Sequence, residues 1–120
     1  MKENNLVLDK SKKFAIRIIN LYKYLSVEKK EFVLSKQILK SGTSIGANVK
    51  EAINGQSTAD FLSKMSIALK EAGETEYWLE LLNETKYISD NQFNSMVANC
   101  RELIKILTSI IKTTKASINY

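Results

Sequence analysis

Apolar residues recur along most of this chain at alternating steps of three and four. That spacing places them on one face of an α-helix. Phe14, Ile18, Leu21 and Leu25 predict a first helix over about residues 9–25, with Ala15, Ile19 and Tyr22 widening its apolar face. The residues before Asp9 are expected to fray or add a turn. Leu34, Ile38, Ile45, Val49 and Ala52 predict a second helix over about 27–54, N-capped by Ser26 and stopped by Asn54-Gly55. Ser57 or Thr58 caps a third, over about 58–87. Its Phe61, Met65, Ala68, Ala72, Thr75, Leu79 and Leu82 keep an unbroken 4-3 rhythm, the seam of a left-handed bundle. Ser89 or Asp90 opens a fourth, over about 90–116, striped by Phe93, Met96, Val97, Cys100, Leu103, Leu107 and Ile110.

Four amphipathic helices with short connections predict an all-α fold, an antiparallel up-down-up-down four-helix bundle forming one domain over residues 1–120. The absence of proline leaves long helices unbroken, and four glycines are too few to turn an all-β chain. An apolar fraction of 44% is enough for a core, which argues against disorder.

Charge changes the picture. Residues 1–56 hold 11 Lys/Arg against 5 Asp/Glu, residues 57–90 hold 3 against 7, and residues 91–120 hold 4 against 1. An acidic middle between basic ends predicts a polarised surface, one side suited to phosphates and the other to a basic face of another copy. The lone cysteine, Cys100, suits a reducing compartment, and no apolar run is long enough to span a membrane. The opening MKENNLVLDKSKK lacks the hydrophobic core of a secretory signal. A cytoplasmic location is expected.

The stretch Ser41–Leu82 is the most distinctive. TSIGAN is followed by Glu51-Ala52, then Ser57 and Asp60-Phe61, then IALKEAGETEYWLELL. These runs, in this order, closely resemble the bacterial four-helix bundle proteins, also described as the 23S ribosomal RNA intervening-sequence protein family. The resemblance implies a four-helix bundle that assembles as a ring-shaped homopentamer, without an established enzyme activity. A related branch serves as the accessory protein of diversity-generating retroelements. That branch implies RNA or DNA as a partner, together with a nucleic-acid-processing protein.

The residues themselves bear on the chemistry. With no histidine, the chain lacks every Ser-His-Asp, Cys-His, HExxH and Glu-x-x-His arrangement. Neither catalysis nor a cofactor is expected. Glu71 and Glu74 share a helix face with Trp78, next to the core seam. A divalent-cation site there is one reading. The other is a polar contact with Ser44, Asn48 and Glu51 across the second and third helices or between copies, at a place where Gly42 and Gly46 let helices approach. Lys12, Lys13, Arg17, Lys23, Lys36, Lys40, Arg101, Lys105 and Lys112 are the candidates for nucleic-acid binding. The expected function is a self-associating scaffold with a basic surface for RNA or DNA. A module that binds only proteins is the alternative.

Overall fold

Each connection shows why its helices begin where they do. The computed structural model describes residues 2–118, in which α1 spans Lys2–Val27, α2 Leu34–Ile53, α3 Thr58–Glu84 and α4 Asp90–Ile118. Met1, Asn119 and Tyr120, the ends of the expected 1–120 domain, lie outside the described residues. The Ser57 hydroxyl accepts the Asp60 N–H at 3.0 Å and caps α3. The Ser89 N–H donates to the Gln92 side chain at 2.8 Å and the Ser89 hydroxyl accepts the Gln92 N–H at 3.1 Å, a reciprocal capping box for α4.

The first connection departs from expectation. Ser26 does not cap α2; it lies inside α1, its hydroxyl donating to the Tyr22 carbonyl at 2.8 Å. The chain turns at Lys30, whose φ of 53° is in the left-handed region. The nearly buried Glu31 carboxylate then caps the start of α2. Oε2 accepts the N–H groups of Val33 and Leu34 at 3.2 and 3.0 Å, and Oε1 accepts that of Ser35 at 2.7 Å. The Ser35 hydroxyl returns a bond to the Glu31 carbonyl at 2.7 Å. So α2 starts at Leu34 rather than 27, because a carboxylate three residues upstream supplies the acceptors that a serine cap would.

Other ends differ as well. Val7 is fully buried, and of the two expectations before Asp9, fraying or added helix, the structure shows the helix, which starts at Lys2. Lys86, with φ 67°, ends the chain's helical course after Glu84, three residues before the expected 87. α4 runs two residues past 116.

Among the described residues each helix packs on its neighbours in the order α1–α2–α3–α4–α1, and the backbones of the diagonal pairs do not approach closely. This is the expected antiparallel four-helix bundle, 51 Å long and about 22 Å across. Its core is built on Phe14, Ile18, Ile38, Ile45, Met65, Leu79, Leu103 and Leu107, all nearly or fully buried. The expected seam of α3 is buried from Met65 to Leu82, with Phe61 half-buried. Ile19, expected on the apolar face of α1, is instead exposed.

Glycines occupy two unlike environments. A Cβ on Gly42 would come within 2.7 Å of Ile18 on α1, so the missing side chain brings α1 and α2 together. A Cβ on Gly73 would meet nothing within 4 Å, and the position is exposed in mid-helix. Gly73→Ala is therefore expected to stabilise the protein by about 0.5–1 kcal/mol through helix propensity alone, read as a higher urea midpoint at unchanged m-value.

Candidate nucleic-acid interface

The helices segregate charge. α3 carries six carboxylates against two lysines, whereas α1, diagonally across the bundle, carries six cations against two carboxylates. On α1, Lys12 and Lys23 lie three turns apart on one line, with Ile16 and Ile19 between them. These isoleucines are 51% and 38% exposed, so the outer surface of α1 is a lysine-flanked apolar strip. On α2, Lys36 and Lys40 are exposed one turn apart. None of these four lysines has an ion-pair partner among the described residues. Lys105 and Lys112 are likewise exposed and unpaired there, two turns apart on α4.

The remaining predicted cations are engaged. Lys13 pairs with Asp9 at 3.1 Å along α1. Arg101 on α4 bonds Glu76 on α3 at 2.6 Å. Arg17 reaches across to α4, donating to the Asn99 side chain and to the Ser95 hydroxyl at 2.9 Å. Lys10, a few turns away, pairs with Glu102 at 3.2 Å. The α1–α4 seam is thus bridged by long polar side chains, and it is the most sparsely packed of the four seams.

The predicted polar contact between α2 and α3 is made by other residues. Ser44 donates to the Lys40 carbonyl at 2.6 Å and Asn48 to the Ser44 carbonyl at 2.8 Å, both within α2. Neither bonds Glu71 or Glu74. The cross-helix bond is buried and runs between Thr75 and Ser41 hydroxyls at 2.8 Å, with Thr75 also bonding the Glu71 carbonyl at 2.8 Å. Short hydroxyls reach a carbonyl one turn back and still fit a close contact, which longer carboxylates at the rim do not. Gly42 and Gly46 face Ile18 and Ser11 of α1, so the close approach they permit is to α1 rather than α3. Glu51 pairs with Lys64 at 3.5 Å.

Burial and then the neighbouring Glu74 raise the Glu71 carboxyl above its ordinary value, against the smaller opposing pull of Lys70 and Lys40. Among the described residues no three His, Cys, Asp or Glu side chains cluster as metal ligands. Glu74 is exposed, and half-buried Trp78 lies against the exposed Tyr77 ring, centroids 5.3 Å apart. Cys100 is buried, donating to the Ala72 carbonyl at 3.2 Å, with its thiol pushed up to about 12 by burial and the charge of Glu76. That removes it from thiolate chemistry near neutral pH.

These features define a helical bundle with one basic flank and one acidic flank, its surface carrying both charged and apolar strips. The 23S rRNA-intervening sequence protein family model matches residues 3–109, and the chain belongs to that family. Its fold is similar to the crystal structure of a protein of unknown function from the S23 ribosomal protein family of Bacteroides thetaiotaomicron. The two share 61% sequence identity and a TM-score of 0.91, over 92% of this chain and 98% of that one. No curated protein matches significantly. Among the described residues no helix is long and apolar enough to cross a membrane.

Proposed function

We propose that this protein is a non-enzymatic, self-associating cytoplasmic scaffold whose basic flank binds RNA or DNA. One observation carries the reading: the unlike charges of α1 and α3 lie at opposite corners of the bundle. The basic corner and the outer face of α2 give phosphates the lysines Lys12, Lys23 and Lys36, which have no ion-pair partner among the described residues, with Lys40 set nearer Glu71 of α3. The acidic corner, with exposed Ile67 and Tyr77 beside Glu74, complements the lysine-flanked Ile16 and Ile19 of a second copy. Contacts between unlike faces build rings or filaments. The family resemblance implies a homopentameric ring, on which the lysines would repeat as a multivalent surface. A nucleic-acid-processing protein is a further partner in this reading.

The test is twofold. Light scattering is expected to give a mass of several protomers. Binding to a ribosomal RNA fragment and to unrelated DNA is expected to weaken steeply with salt, and Lys12→Glu/Lys23→Glu/Lys36→Glu to reduce affinity at least tenfold for both. A monomeric mass would refute self-association, and weak binding without a salt slope would refute the nucleic-acid role. The exposed Phe32, Val33 and Tyr77 favour a second reading, a module that binds only proteins. It would be upheld by oligomers that ignore both nucleic acids.

A further inference from the structure

Three surface dents follow one another along the α1–α4 seam, neighbours sharing lining residues. The first, about 340 Å³, opens at one end of the bundle between Lys29, Lys86 and Tyr87. It shares Tyr24 and Gln92 with the second, about 320 Å³, which adds Asn20 and Met96. The second shares Arg17 with the third, about 280 Å³, which runs on past Phe14 to Lys10 and Glu102. From Lys10 to Tyr24 the helix rises ~21 Å. The three form a row along one shallow groove, which the Arg17 bridge to Ser95 and Asn99 crosses and the Lys10–Glu102 pair bounds at its far end.

Its lining has a distinctive chemistry. Five cations line it (Lys10, Lys13, Arg17, Lys29, Lys86) with two carboxylates, Asp90 and Glu102. Lys10 and Lys13 are paired with Glu102 and Asp9 and Arg17 bonds Asn99 and Ser95, whereas Lys29 and Lys86 have no ion-pair partner among the described residues. The floor is apolar, from Phe14, Leu21, Met96 and Leu103. Side-chain amides punctuate it, and Tyr24 stands where two cavities meet, with the Lys29 ammonium 5.7 Å from its ring centroid. Positive rim, aromatic platform and amide donors and acceptors are what an unpaired nucleic-acid strand needs: phosphates on the rim, bases on the ring and against the floor, base edges on the amides. A duplex keeps its bases stacked inside and would use only the outer lysines.

We infer that the α1–α4 groove is a binding site for single-stranded nucleic acid, with Tyr24 as its stacking platform and Asn20 and Gln92 beside the bases. The inference rests on the nucleic-acid reading above and adds to it the form of the strand and the place where it lies. A site of this length takes on the order of four nucleotides, the lower end of single-strand site sizes.

The experiment is fluorescence anisotropy with a labelled twelve-nucleotide oligouridine and with a labelled RNA hairpin duplex, on the full chain. The single strand is expected to bind at least tenfold tighter than the duplex. Tyr24→Ala is expected to weaken the single strand tenfold or more while leaving the duplex unchanged, and Tyr24→Phe to retain binding. Because Tyr24 also packs on the core, Asn20→Glu provides a second arm: this exposed position can take a carboxylate without repacking, and it is expected to repel the strand by a similar factor. Equal affinity for strand and duplex, or groove variants that bind oligouridine like wild type, would overturn the groove. If Lys12→Glu/Lys23→Glu/Lys36→Glu still abolishes binding in that case, the basic-flank reading survives alone. Wild-type protein that binds neither probe would overturn both.

Discussion

Glu31→Ala is expected to lower stability by about 2–3 kcal/mol at neutral pH, the sum of a lost helix cap and a buried donor left without its acceptor. Three N–H groups at the start of α2 end on this one carboxylate, and Ser35, whose N–H takes the shortest of those bonds, is fully buried. Water cannot replace the acceptor at Ser35. At ~4 °C per kcal/mol for a domain of this size, the melting temperature falls by roughly 10 °C. Chemical denaturation followed by helical circular dichroism measures the loss. An unchanged midpoint would show that the turn holds α2 without the carboxylate.

The effect has a pH signature. Burial pushes the Glu31 carboxyl up, but the N–H groups of Leu34, Ser35 and Val33 together pull it further down, so its native pKa lies below the ordinary value. The native state therefore holds this proton less tightly than the unfolded chain does. Its stabilisation is complete above the unfolded value of about 4.3 and is lost as pH falls through the lower native one. The gap between wild type and Glu31→Ala is expected to be constant from pH 6 to 8 and to narrow below about pH 4. Glu31→Gln keeps one acceptor oxygen and should fall between the two at neutral pH, without contributing an acid step of its own. A gap that does not change with pH would remove the charge from the explanation.

Gly42→Val is expected to cost about 3 kcal/mol, although valine is the better helix former. The first added atom would stand 2.7 and 2.8 Å from the two γ-carbons of Ile18, which is fully buried and β-branched. A β-branched side chain in a helix has one favoured rotamer, so Ile18 cannot swing aside. α1 and α2 must separate instead, opening the core between them. Gly42→Ala isolates the first contact: its propensity gain of about 1 kcal/mol opposes the clash, and the net is expected to be a smaller loss. Gly73→Ala, with the same propensity gain and no neighbour, is the control. If Gly42→Ala were as stabilising as Gly73→Ala, the close approach of the two helices would be wrong.

These positions mark what periodicity does and does not carry. The four helices were legible because their apolar positions repeat at 3.6 residues per turn, a local property of the chain. The rhythm of α3 even placed Thr75 in the core, where the structure buries it. The start of α2 was not legible. Ser26 has the chemistry of a cap, but a cap depends on the dihedral angles around it, and the left-handed Lys30 moved that role to Glu31. Ile19 was misplaced for a related reason: spacing sets a face but not how much of it a neighbour covers.

The candidate surfaces divide along the same line. The basic and acidic segments were visible as composition, and the 41–82 motif as a resemblance. Which cations are already engaged was not, because Arg17, Arg101 and Lys10 find their partners on helices 25 to 92 residues away in sequence. Nor was the partner of Gly42 and Gly46, since a small-residue stripe says that something comes close without saying what. By itself, then, the sequence determined the helices, the core face of each and the polarity of the charge, all of which follow from near neighbours along one chain segment. Only the tertiary structure decided that α1 and α3 stand at opposite corners, that Ser41 meets Thr75, and that the α1–α4 seam stays open as a groove. Those depend on which helices are brought side by side, and in which register.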